Sequence, residues 1–142
     1  MWKRKSVEKS GNKKVRNARE HIVDGIKYRS GLEVYMATLL KENNLSFEYE
    51  AHTYTIFEGF TYAGVKVRPI TYTPDFVLEN HIIECKGWAN DVWPIKLKLF
   101  KRHLVDTNNN SYFHMPKNKQ QCEEVINKIC SISKTIASED LI

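Results

Sequence analysis

The chain has 142 residues, 42% of them hydrophobic and 27% charged, enough for one domain with a real core. No stretch approaches the ~20 consecutive apolar residues that a membrane-spanning helix needs. The net charge of +5 is uneven, because residues 1–30 carry ten Lys or Arg against three acids and the remainder twelve against fourteen. That asymmetry points to a polyanionic partner, most simply nucleic acid, with a solubilising tail as the alternative.

The opening MWKRKSVEKS is basic but no apolar run follows it, which argues against a signal peptide. Residues 1–19 read as a basic flexible arm with little to bury, and residues 20–142 as a single domain. HIVDGIKYRS predicts a small hairpin turning at Asp24-Gly25. Ser30 followed by Glu33 has the spacing of a capping box, and apolar Leu32, Tyr35, Met36, Leu39 and Leu40 predict a helix over about 31–43. SFEYEAHTYTIF and VKVRPITY read as strands around a turn at 58–64, and TPDFVL and HIIECK as two more.

Asn90 or Asp91 is expected to cap a second helix with Pro94 in its first turn. It would run to about Val105 with Ile95, Leu99 and Leu104 inward and Lys98, Lys101 and Arg102 toward solvent. After the polar DTNNN, SYFHM predicts a last strand. A final helix over about 117–137 would bury Val125, Ile126, Ile129 and Ile132. The order predicts an α/β fold, a central sheet flanked by helices. Three cysteines, Cys85, Cys122 and Cys130, lack metal-site spacing and read as reduced thiols of a cytoplasmic protein.

The charged residues of YTPDFVLENHIIECKGW need a physical account, since an unpaired ion in an apolar strand is costly. An antiparallel hairpin turning at Glu79-Asn80 would oppose Leu78 to His81, Val77 to Ile82 and Asp75 to Glu84. Lys86 would share the face of Glu84, roughly 7 Å further along at about 3.4 Å per residue. Two opposed carboxylates repel, and either a shared proton or a divalent cation could hold them. Mg²⁺ suits such an oxygen-rich site and leaves positions for water and phosphate. An exposed hairpin whose charges merely face solvent is the bland alternative, and the apolar neighbours weigh against it.

Pro74-Asp75, then Glu84-Cys85-Lys86 after eight residues, resembles the PD-(D/E)XK nuclease superfamily. Arg29-Ser30-Gly31-Leu32-Glu33, Phe47-Glu48-Tyr49-Glu50, Tyr72-Thr73-Pro74-Asp75-Phe76 and Glu84-Cys85-Lys86-Gly87 are together similar to the phage endonuclease I family, which resolves branched DNA such as Holliday junctions. A second resemblance, over about residues 12–105, is to an uncharacterised phage family of the same superfamily. It runs through Asp24-Gly25-Ile26, Ser30, Glu33, Ile70-Thr71-Tyr72, Asp75-Phe76, Lys86-Gly87 and Lys96-Leu97-Lys98-Leu99-Phe100.

The resemblance implies a restriction-endonuclease-like core with a central mixed sheet, and a phage-encoded, Mg²⁺-dependent DNA endonuclease for which Mn²⁺ would substitute. Asp75 and Glu84 are the expected metal ligands, with the backbone carbonyl of Cys85 and, by family pattern, Glu33. The capping box alone would also explain Glu33. Lys86 would position the attacking water. Arg29, Lys96, Lys98 and Lys101 are candidates for DNA phosphate contacts, with a solvated surface as the alternative. Trp88 and Trp93 flank the turn after Lys86 and would either stack on an unpaired base or pack the helix onto the sheet.

A junction resolvase would be a twofold homodimer, because a junction offers two symmetric strands to cut. Residues 50–68 depart from the endonuclease I pattern, reading as a long hairpin in place of a short exchange segment. The competing functions are a DNA-binding module with the same fold but no catalysis, and an exonuclease or RNA-directed nuclease.

Overall fold

In the computed structural model residues 21–139 are described, with side chains through Ile136, so the expectation of a flexible arm at 1–19 lies outside the described residues. Asp24 and Gly25 both take positive φ, 51° and 78°, the backbone that a two-residue hairpin turn demands. They join β1 (His21–Val23) to β2 (Ile26–Tyr28). Ser30 then caps α1 (Gly31–Glu42), its hydroxyl oxygen accepting the Glu33 N–H at 3.2 Å.

The segment expected as one strand over 46–57 is broken into β3 (Glu48–Tyr49) and β4 (Tyr54–Phe57), because Glu50 adopts a φ of 47° and ends the extended run. Residues 58–64 are not all turn: β5 (Phe60–Tyr62) lies within them and pairs with β6 (Val65–Val67) across Ala63-Gly64. VKVRPITY is divided after β6 at Arg68-Pro69, and its second half is β7 (Ile70–Tyr72), paired with β4. Proline supplies no N–H to a ladder, which is where the long hairpin changes partners.

Next come β8 (Phe76–Leu78), β9 (His81–Ile83), α2 (Trp93–Asp106), β10 (Tyr112–His114) and α3 (Lys119–Glu139). The central sheet has the order β10-β9-β8-β3, with β9 and β10 parallel and the other neighbours antiparallel. A parallel pair needs a crossover, and α2 supplies it. The fold is therefore mixed α/β, with helices on both faces of a mixed sheet.

Alternation along the strands sorts the core. Phe76, Leu78 and Ile83 join Met36, Ala37 and Leu40 of α1 and Cys122, Val125, Ile126 and Ile129 of α3 on one face. Ile82 joins Trp93, Phe100 and Leu104 of α2, with Ile56 and Tyr72, on the other. Ile132 is only half-buried. Helix α2 is rotated relative to its sequence reading: Ile95, expected inward, is 60% exposed, and Trp93 is buried in its stead. The 93, 97, 100, 104 spacing serves the sheet better because Trp93 and Phe100 both pack on Tyr72, with ring centroids 5.5 and 4.7 Å away. The N-cap of this helix is Val92, without a side-chain capping hydrogen bond, and not the expected Asn90 or Asp91. Asn90 Oδ1 accepts the Trp93 N–H at 3.0 Å across the turn that precedes the helix. Among the described residues no helix is long and apolar enough to cross a membrane.

Candidate metal centre

Asp75 stands immediately before β8, after the buried Pro74. The β8–β9 register pairs Leu78 with His81, Val77 with Ile82 and Phe76 with Ile83, so one further step sets Asp75 against Glu84. On its other side β8 pairs with β3, Tyr49 opposite Phe76, and the next step brings Glu50 alongside, its N–H donating to the Asp75 carbonyl at 2.9 Å. Three adjacent strands thus deliver carboxyl groups to one level of the sheet. Helix α1 adds a fourth, Glu33, from its first turn.

Glu33, Glu50 and Asp75 each offer an oxygen within 4.8 Å of the other two. Glu33 and Asp75 are buried and Glu50 half-buried. The Glu33 carboxylate accepts from the Tyr49 hydroxyl and from the Arg29 N–H at 3.2 Å, so this residue is both part of the helix cap and a member of the acidic group. Burial and the Glu33 charge push the Tyr49 hydroxyl up, which keeps it a donor. Asp75 Oδ2 accepts the Cys85 N–H at 2.8 Å. Burial, then repulsion from Glu84 and Glu33, nevertheless push the Asp75 carboxyl up to about 8.

Glu84 is engaged differently. Its Oε2 accepts from the Tyr72 hydroxyl at 2.6 Å, and Lys86 Nζ lies 3.4 Å from Oε1. Burial pushes its carboxyl up and those two donors offset part of the rise. The Lys86 ammonium also sits 4.3 Å from the Trp93 ring centroid, so one side is held by a carboxylate and the other by an aromatic face.

The expected residues are distributed as follows. Glu33, Asp75, Glu84 and Lys86 converge at one end of the sheet. The Cys85 amide is in the site, while its side chain packs against the α1–α3 core. Arg29 is at the margin, 76% exposed, with Nε 2.8 Å from Glu50 Oε1. On α2, Lys96 is half-buried and Lys98 and Lys101 are exposed. The two tryptophans separate: Trp93 packs, and Trp88 is 89% exposed.

Glu50 and Tyr72 were not singled out from the sequence. Both were within quoted motifs, but their importance depends on non-local pairing. Only the choice of β3 as the second neighbour of β8 brings Glu50 beside Asp75, and only the packing of β7 against α2 aims Tyr72 at Glu84.

The donor set fits a hard divalent cation. Oxygens on one Mg²⁺, each about 2.0–2.1 Å from it, lie roughly 3 to 4 Å apart, a spacing that the Glu33, Glu50 and Asp75 oxygens approach. Among the described residues these four carboxyl groups are paired with two cations, Arg29 and Lys86, so with all four ionised a divalent ion would balance the remaining charge.

A family model described as "Protein of unknown function (DUF1064)" matches residues 12–120, and the chain belongs to that family. The match contains every carboxylate of the centre and stops just inside α3. No curated protein and no solved structure matches the chain.

Proposed function

We propose that this protein is a metal-dependent nuclease of the PD-(D/E)XK kind that hydrolyses DNA phosphodiester bonds, with Mg²⁺ as its cation and Mn²⁺ as a substitute. The reading rests on one observation: Asp75, Glu84 and Lys86 meet at the open end of a buried hairpin, where Glu33 from the first turn of a helix joins them. Glu33, Asp75 and Glu50 are the residues that would hold the cation, with Glu84 as a further ligand from the adjacent strand. When bound, the cation supplies Lewis acidity toward the phosphate and lowers the pKa of water.

The chain's own groups do the rest. Lys86, fixed between Glu84 and Trp93, donates toward the attacking water and toward the charge that develops on the phosphate oxygens. Tyr72 holds Glu84 in orientation through its 2.6 Å hydrogen bond. Burial of Asp75 and Glu84 strengthens each of these electrostatic contacts relative to bulk water. The products are a phosphate monoester on one side of the cut and a free hydroxyl on the other.

DNA is the partner that the basic residues 1–30 and the lysines of α2 best suit. Branched DNA is the substrate we favour, cut by a homodimer in the cytoplasm of a phage-infected host. The test is cleavage of a labelled four-way junction, a matched duplex and a single strand with Mg²⁺, Mn²⁺ or EDTA. Wild type should cut the junction only with metal, and Asp75→Ala should not cut. Cutting of linear DNA as well would assign a general nuclease. DNA binding without cleavage of any substrate would assign a binding module and overturn the nuclease.

A further inference from the structure

Two tryptophans follow Lys86 within seven residues, and their environments differ sharply. Trp93 is 5% exposed and packs on Tyr72 and under Lys86. Trp88 is 89% exposed, the most exposed large apolar side chain among the described residues. An indole can bury 150–250 Å² of surface, so leaving one in water forgoes stabilisation that a core position would supply. Two more apolar side chains close in sequence are also exposed, Val92 at 55% and Ile95 at 60%, at the start of α2. The loop 87–92 carries Asp91 and no lysine or arginine. It is thus built to receive an uncharged ring, not a phosphate.

Position then names the ring. Two residues of chain span at most ~7 Å, and nucleotides of one strand rise about 3.4 Å each. The Trp88 Cα therefore lies within ~7 Å of the Lys86 Cα, which puts a base near a phosphate held at Lys86 within reach of the indole. A paired base hides its face against its neighbours, whereas an unpaired one offers it. We propose that Trp88 stacks on an unpaired base next to the scissile phosphate, selecting DNA whose bases are unstacked at the cut. This rests on the nuclease reading above and specifies its substrate.

The experiment is binding by full-length wild type, Trp88→Ala and Trp88→Phe in EDTA, so that nothing is cut. The probes are a labelled matched duplex and the same duplex with a single-stranded flap. Wild type should prefer the flap. Trp88→Ala should weaken flap binding by roughly 5- to 150-fold, the worth of one stacked base, and leave the matched duplex unchanged. Trp88→Phe should recover part of the loss, which a merely steric role would not predict. Flap binding should also quench tryptophan fluorescence more in wild type than in Trp88→Ala, which keeps Trp2 and Trp93.

Equal weakening of both probes, or of neither, would overturn the inference and leave the nuclease reading standing. So would conversion of a dimer to a monomer by Trp88→Ala with the flap preference intact, since the indole would then be a contact between copies. Failure of wild type to bind either DNA would overturn both.

Discussion

At the turn end of the β8–β9 hairpin, His81 and His114 face one another with Nδ1 and Nε2 3.0 Å apart, and Tyr112 stacks on the His81 ring. Burial pushes both imidazoles down, His114 to about 4, so near neutrality one ring donates and the other accepts. At the open end of the same hairpin, Asp75 lies among Glu33, Glu50 and Glu84, all able to carry the same charge. The His81–His114 pair and the carboxyl groups are each at least half-buried, but the first is two neutral rings that complete one hydrogen bond. The second, although each carboxyl has a donor or cation beside it, gathers groups of like charge. A buried pair that completes itself needs no ligand, whereas one that repels itself asks for a counter-ion from outside. That difference, more than burial alone, separates structural polarity from a candidate site.

The largest expected effect separates the two ends by sign. Asp75→Asn should reduce metal-dependent cleavage on the order of a hundred- to a thousandfold or more, the scale of losing one group that stabilises transition-state charge. It should also raise the melting temperature without metal at pH 8, because the repulsion is gone. A fall in both quantities would mean that Asp75 is a structural residue.

The pH dependence follows from the same carboxyl. With Asp75 at about 8 in the fold and near 4 when unfolded, the native state keeps a proton that the unfolded chain releases between those values. Metal-free stability should therefore be fully present below about pH 4 and decline as pH rises toward 8. Stabilisation by Mg²⁺ should grow over the same window, since the cation competes with that proton. Thermal melts at pH 5 and pH 8, with and without Mg²⁺, check it. A Mg²⁺ effect that does not change with pH would remove Asp75 from the metal set.

Tyr72→Phe leaves the packing on Trp93 and Phe100 but removes the donor to Glu84. A loss of roughly 10- to 100-fold in metal affinity is expected by calorimetry, as for other groups that orient a ligand. At the histidine end, His81→Leu should cost about 1–3 kcal/mol by leaving His114 unpaired, with the response to Mg²⁺ unchanged. His114 sits below its ordinary value, so its contribution is present above about pH 6.5 and is lost as pH falls toward 4, with or without metal. The smallest effect is expected for Lys96→Ala: the salt dependence of DNA binding should lose about one unit of slope. An unchanged slope would make Lys96 part of a solvated helix face.

Several elements were legible because a few neighbouring residues decide them. Asp24-Gly25 can turn a hairpin in two residues, Ser30 caps the helix that follows it, and a two-residue turn at Glu79-Asn80, with Asn80 at φ 63°, leaves a single register for the strands beside it. That register set Asp75 opposite Glu84 and Lys86 on the same face, so the core of the candidate site was readable from the sequence. Partners distant in the chain were not. Nothing local to FEYE says that β3 will lie against β8 and bring Glu50 to Asp75, and nothing local to SYFHM says that β10 will run parallel to β9. The rotation of α2, which exposes Ile95 and buries Trp93, depends on where Tyr72 arrives from β7. Turns and caps are short-range steric and hydrogen-bond choices that the sequence by itself determined. Strand order and helix rotation were decided only by the tertiary structure, where the whole chain must bury its apolar surface at once.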